Sequence, residues 1–340
     1  MEDSKYLIWY HYEDNDGVFS AAIIYNYLVH ENNVLPENIT LEGTKYSDLT
    51  EKYPSDESII SLSEQYTHIC MTDVSFNDPK KMKLLHKTFG EYFIWIDHHL
   101  PIIKESFNLK FDSCSGWRDT SRSAILNAYR YFYDPLDEEY IARKFDNDTI
   151  RFPEILRILS AYDSWSFKRE KLKKDYVVNV NKGVTVHFNL DIHKVIDYMY
   201  NVLYGDLIVQ RAAMKTFIAK MSKLGKEYNN YDQICADNQI AEYGDLTWTV
   251  DGRPAAMIML QRPTTSLYFS SVKNTCLNGI VFKRLANGQW VISLYNTNDN
   301  DDFNCGTYLK NKYNGGGHQG AAGCTISEKQ FIKLLKTKQL

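Results

Sequence analysis

Tyr92-Phe93-Ile94-Trp95-Ile96-Asp97-His98-His99 is the stretch on which the reading of this chain turns. Five apolar residues are followed at once by a carboxylate and two imidazoles. That order describes a buried strand whose end delivers polar side chains to a sheet edge. Three metal-competent side chains in a row exceed what packing requires. Working outward, the same grammar recurs. His68-Ile69-Cys70-Met71-Thr72 is an apolar run ending in Asp73, and Tyr6-Leu7-Ile8-Trp9-Tyr10 runs into His11-Tyr12-Glu13-Asp14-Asn15-Asp16-Gly17. Between and after these runs, residues 17–29, 79–89, 121–133 and 153–162 are apolar at helical spacing. Strand–helix alternation predicts an α/β fold whose N-terminal sheet is mostly parallel and flanked by helices. In such folds ligands sit beyond the carboxyl ends of the strands, where these polar clusters fall.

The chain has 340 residues, with 44% hydrophobic and 24% charged residues, which allows two ordinary globular domains. No stretch approaches the roughly 20 apolar residues of a membrane span. Met1-Glu2-Asp3-Ser4-Lys5 lacks the apolar core of a secretion signal. Six cysteines, at 70, 114, 235, 276, 305 and 324, form no Cys-x-x-Cys pair. Reduced thiols and a cytoplasmic location are therefore expected. The net charge of −4 is uneven: residues 1–204 hold 23 basic and 32 acidic side chains, and residues 205–340 hold 16 and 11. An acidic half suits divalent cations, and a mildly basic half suits a phosphate ligand. The whole is not basic enough for a footprint on long duplex nucleic acid.

Residues 193–226 form a long helical pattern punctuated near Gly205. The expected organisation is a catalytic domain over 1–192, a helical connector over 193–229, and a smaller C-terminal α/β domain with a mixed sheet over 230–340. Short strands are expected at Gln233-Ile234-Cys235-Ala236, at 255–260, 275–282 and 290–294. A glycine-rich loop, Asn314-Gly315-Gly316-Gly317-His318-Gln319-Gly320-Ala321-Ala322-Gly323, precedes a last strand and helix.

The clusters divide the chemistry among them. His11, Asp14 and Asp16 follow the first strand. Asp73 follows the second, Asp97, His98 and His99 the third, and Asp163 ends a helical pattern. A carboxylate at a helix C-terminus opposes the helix dipole and calls for a cation nearby. Carboxylates with neutral imidazoles and no thiolate suit two divalent metal ions, Mn²⁺ first, with Fe²⁺ or Mg²⁺ as alternatives and Zn²⁺ less suited. Paired ions about 3.5–4 Å apart serve phosphate-ester hydrolysis. In the second half, Gly315, Gly316 and Gly317 let backbone amides approach a phosphate to which His318 can donate.

In this order the motifs resemble the DHH phosphoesterase family: His11…Asp14-x-Asp16-Gly17, Asp73, Asp97-His98-His99 and Asp163. Gly315-Gly316-Gly317-His318-x-x-Ala321-Ala322-Gly323 is similar to the family's associated C-terminal substrate domain. The Ala161-Tyr162-Asp163-Ser164-Trp165 segment is similar to the oligoribonuclease (nano-RNase) branch. The resemblance implies that His11, Asp14 and Asp73 hold one metal. It implies that Asp16, Asp73, His98 and Asp163 hold the other, with Asp73 shared. It further implies that Asp97 orients an imidazole and that His99 faces the substrate phosphate. His318 and its glycines would close over the substrate. Acids three and five residues after His11 depart from the family's commoner spacings, so by the resemblance Glu13 competes with Asp14 for that role. Tyr295 and Asn296 stand where relatives often carry an arginine, for which Arg262 could substitute as a substrate contact.

The expected activity is a Mn²⁺-dependent phosphodiesterase that degrades short RNA oligonucleotides or linear dinucleotides to mononucleotides. Its 25 tyrosines and 6 tryptophans offer stacking partners for bases, though most belong to core packing. Alternatives are a 3′-phosphoadenosine 5′-phosphate phosphatase, a cyclic-dinucleotide phosphodiesterase, a single-strand DNA exonuclease, and a silent nucleotide-binding protein. No membrane partner is expected. The sequence leaves the oligomeric state open, a homodimer included.

Overall fold

The computed structural model describes residues 4–133, 152–261, 266–297, 302–317 and 319–340. Two compact units emerge, Met1–Glu227 and Tyr228–Leu340.

The first unit is built on four strands, β1 (Tyr6–His11), β2 (Ile39–Thr44), β3 (His68–Thr72) and β4 (Phe93–Ile96), in the order β2-β1-β3-β4. All three pairings are parallel. Both faces of the sheet are apolar, as burial on both sides demands. Along β1, Tyr6, Ile8 and Tyr10 join one core while Leu7 and Trp9 join the other. Ile96 and Trp95 divide β4 in the same way. Helices Asn15–His30, Ala124–Tyr133, Glu154–Asp163, Lys174–Phe188 and Ile192–Tyr204 contribute to the first core. Helix Pro79–Phe89 contributes to the second.

In the strand order, β1 lies between β2 and β3, so the chain leaves β1 for opposite sides of the sheet. The crevice between β1 and β3 is the topological switch point, where such sheets bind ligands. β1 ends at His11, β3 stops one residue before Asp73, and β4 stops one residue before Asp97.

The second unit has a six-stranded mixed sheet: β5 (Asp245–Val250), β6 (Arg253–Met259), β7 (Asn278–Arg284), β8 (Trp290–Asn296), β9 (Gly316–Gly317) and β10 (Ala321–Ile326), in the order β5-β6-β7-β8-β10-β9. Only β6 and β7 run parallel among these pairs. Helices Cys305–Tyr313 and Glu328–Thr337 cover one face, and Ala236 and Ile240 pack on the other. The mixed sheet agrees with expectation.

The strand expected at Gln233-Ile234-Cys235-Ala236 is corrected: helix Leu207–Tyr243 runs through it. A four-residue apolar run suits a strand or a buried helix turn equally. Here Ala236 and Ile240, one turn apart, supply the buried face. The Gly-rich loop is in part a hairpin, since Gly316 and Gly317 pair with Gly323 and Ala322. Gly317 has φ of 139°, and a Cβ there would lie 2.5 Å from Ala322 Cα, so its glycine is required by the backbone itself. No helix among the described residues is long and apolar enough to cross a membrane.

Candidate metal centre

The site starts with the turn after β1. Asp14 caps helix Asn15–His30, its Oδ1 accepting from the Gly17 amide at 3.0 Å. Its Oδ2 lies 3.7 Å from His11 Nε2. Glu13, the competitor for Asp14, instead pairs with Lys45 Nζ at 2.6 Å. Asp16 is buried, and it accepts from two amides at the start of helix Ala124–Tyr133: Ala124 N to Oδ2 at 2.8 Å and Ile125 N to Oδ1 at 2.9 Å.

Asp73 follows β3 with φ of 55°, the left-handed region that a non-glycine residue rarely occupies. Its amide still donates to the Ile96 carbonyl at 3.1 Å, which fixes the turn against the end of β4. Asp97 is fully buried and satisfied. It accepts from the His98 and His99 amides at 2.7 and 3.0 Å, from Trp95 Nε1 at 3.1 Å, and from His99 Nδ1 at 2.7 Å. Asp97 thus holds the His99 ring in place. Burial favours the neutral Asp97 acid, yet His99 and His98 outweigh it and hold the carboxyl below its ordinary range.

His98 is the centre of the cluster. Its Nε2 lies 3.2 Å from Asp163 Oδ2, 3.4 Å from Asp73 Oδ1 and 3.6 Å from Asp16 Oδ2. Two triads of ligand atoms, Asp73–His98–His99 and Asp16–His98–Asp163, therefore share one imidazole. The structure brings together Asp16, Asp73, His98, His99 and Asp163 in these triads. His11 and Asp14 pair with each other and stand outside them. Gly315, Gly316 and Gly317 belong to the second unit. His318 and Arg262 lie outside the described residues.

The donor set fits divalent cations. Asp16, Asp73 and Asp163 form no ion pair with lysine or arginine among the described residues, where imidazoles are their cationic partners. His11 Nδ1 is buried without a hydrogen-bond partner among the described residues, and Asp163 Oδ2, though 3.2 Å from His98 Nε2, accepts no aligned hydrogen bond there. Polar atoms left bare in a buried site are costly unless something binds them. Oxygen and imidazole ligands without thiolate match Mn²⁺-like ions. Burial first, and the nearby Asp16 carboxylate second, push the Asp163 carboxyl up to about 7. Burial works against charging His98, but Asp163, Asp16 and Asp97 raise it above its usual value. Ions compete with these protons, so Mn²⁺ affinity should climb with pH between about 5 and 7, by up to about tenfold per unit for each proton displaced. Calorimetric titration across that range measures it. A flat profile would remove Asp163 from the ligand set.

One contributor escaped the sequence reading. Tyr46, the first residue of helix Tyr46–Lys52, donates its hydroxyl to the Asp73 carbonyl at 3.2 Å and stands 3.1 Å from His99 Nδ1. Asn127 was also overlooked; its Nδ2 donates to the Asp97 carbonyl at 3.1 Å. Neither belongs to a metal-ligand residue type, and no local pattern marks them.

A parallel sheet that gathers buried carboxylates and imidazoles at its switch point offers a candidate centre for divalent cations. Residues 5–149 match the DHH family, N-terminal domain. Members of that family are metal-dependent phosphoesterases and nucleases. No curated protein matches the sequence. Solved structures resemble it in fold. The DHH domain of a member of a family of ribosomal proteins has a TM-score of 0.52 at 14% identity, over 98% of this chain and 85% of that one. RecJ in complex with Mn²⁺ from Thermus thermophilus has 0.50 at 12%, over 98% and 51%. The pGpG-specific phosphodiesterase PggH from Vibrio cholerae has 0.44 at 13%, over 98% and 97%.

Proposed function

We propose that this protein is a Mn²⁺-dependent phosphodiesterase that degrades short RNA oligonucleotides or linear dinucleotides to mononucleotides. The observation that carries the reading is the pair of triads sharing His98. His11, Asp14 and Asp73 would hold one ion and Asp16, Asp73, His98 and Asp163 the other. When bound, the ions supply Lewis acidity that neutralises charge on the phosphoryl oxygens. The chain's own groups supply position. Asp97 holds His99 by its Nδ1 proton, and Tyr46 steadies the same ring. His99, partly exposed beside Asp73, is assigned to the substrate phosphate as a hydrogen-bond donor. Burial opposes its charge, but Asp97 overrides this and lifts His99 to about 9, so it carries a proton at neutral pH. Gly315, Gly316, Gly317 and His318 are assigned to substrate phosphates too.

A 5′-labelled RNA five-mer incubated with Mn²⁺ and followed on a gel tests this. A ladder descending to mononucleotide is the expected result. An uncut five-mer, with turnover of a cyclic dinucleotide or of 3′-phosphoadenosine 5′-phosphate, would overturn the substrate assignment. Failure to bind Mn²⁺ would revive the silent nucleotide-binding reading.

A further inference from the structure

Helix Leu207–Tyr243 carries Arg211, Lys215, Lys220, Lys223 and Lys226, with no acid before Glu227. Lys215, Lys223 and Lys226 share one stripe of this helix, being eight and three residues apart. Together with Ile218, Ala219 and Ser222, they line a cavity of about 440 Å³. Glu154 and Tyr176 complete its wall. All three lysines are exposed, and none has an ion pair or hydrogen bond among the described residues.

The cavity has a physical cause. Helices Lys174–Phe188 and Leu207–Tyr243 touch backbone to backbone through two glycines. A Cβ on Gly225 would lie 1.8 Å from the Asn179 carbonyl oxygen, and one on Gly183 would lie 2.0 Å from that of Met221. Beside this crossing, the first turns of helices Glu154–Asp163 and Lys174–Phe188 face the lysine stripe. Neither helix has a side-chain hydrogen bond at its N-cap, Pro153 or Lys173. Their positive dipole ends add to the field of the lysines. Glu154 is the single acid in the lining, so the concavity stays cationic.

We propose that this cavity binds a nucleoside phosphate, with its phosphate on Lys215, Lys223 and Lys226 and its base against Tyr176, Ile218 and Ala219. Its volume lies within the range of small-ligand pockets, roughly 300–1,000 Å³. It is separate from the metal centre. Glu154 begins the helix that Asp163 ends, and nine residues of rise at ~1.5 Å place them about 14 Å apart along the axis. No residue of the two metal triads lines it. The inference stands whether or not the phosphodiesterase reading does.

Calorimetric titration of the full chain in EDTA with AMP, inorganic phosphate and adenosine tests it without turnover. AMP is expected to bind in the sub-millimolar range, more tightly than phosphate or adenosine. K215E/K223E, at exposed positions, should weaken AMP by about tenfold or more. Glu154→Gln should tighten it, and Asp73→Asn should leave it unchanged. Equal affinity in K215E/K223E, or loss in Asp73→Asn, overturns the site. AMP no tighter than inorganic phosphate overturns the nucleoside assignment.

Discussion

Asp73→Asn is expected to melt at a higher temperature than the natural protein in EDTA, and to lose about a thousandfold or more of its phosphodiester turnover with Mn²⁺. The two effects have one source. Asp73 is buried, and burial first, then Asp16, Asp14 and Asp163, push its carboxyl well above the usual range, with His99 opposing. An acid whose folded pKa exceeds its unfolded one favours the protonated chain. Its share of stability is therefore present at low pH and is lost as pH rises from about 4 through the folded value. Asn removes that penalty at neutral pH. It also tolerates the left-handed backbone at this position, which makes it a cleaner probe than Ala. Without the carboxylate, the ion pair proposed to share it has no common ligand. Thermal melting with and without Mn²⁺, at about pH 6 and 8, reads both effects. A variant that keeps two bound ions and a normal rate would falsify the ligand assignment.

Gly17→Ala should be among the more damaging small changes near the candidate site. A Cβ there would lie 1.9 Å from the His11 carbonyl oxygen and 2.8 Å from His11 Cβ. The obstacle is mostly backbone and cannot rotate away. Either the end of β1 or the start of helix Asn15–His30 must move. Overpacking of this kind costs about 1–3 kcal/mol. The shift falls on the segment that holds His11, Asp14 and Asp16, and a displacement of about 1 Å can cost roughly a hundredfold in rate. The expected outcome is a melting point several degrees lower and turnover reduced about a hundredfold, measured well below that melting point. Natural turnover in this variant would mean that the first turn tolerates displacement.

The sheet edge was readable because the chemistry is written consecutively. Asp73 and Asp97-His98-His99 each follow a run of hydrophobic residues, and the run itself announces a strand. β2 was missed, since Ile39-Thr40-Leu41-Glu42-Gly43-Thr44 is an edge strand that stays largely half-exposed and lacks an apolar run. With β2 went Tyr46, which enters the site only because that strand ends beside it. The helical fate of Gln233–Ala236 was hidden for the opposite reason: four residues are too few to separate a period of 2 from one of 3.6. The dual duty of Asp16 was invisible as well, because its helix-capping partners lie more than a hundred residues away.

That last contact has a consequence for how the protein assembles. Ala124 donates to Asp16 across 108 residues of chain, and Ile125 across 109. The N-terminal strand and its acidic turn cannot adopt their final arrangement from local instructions, because a piece of chain made much later locks the carboxylate. Contacts of such long sequence separation form slowly. The nascent N-terminal segment thus lacks the two amides that complete its acidic turn, and a cation held as proposed would meet its finished site only after residues 124 and 125 have docked.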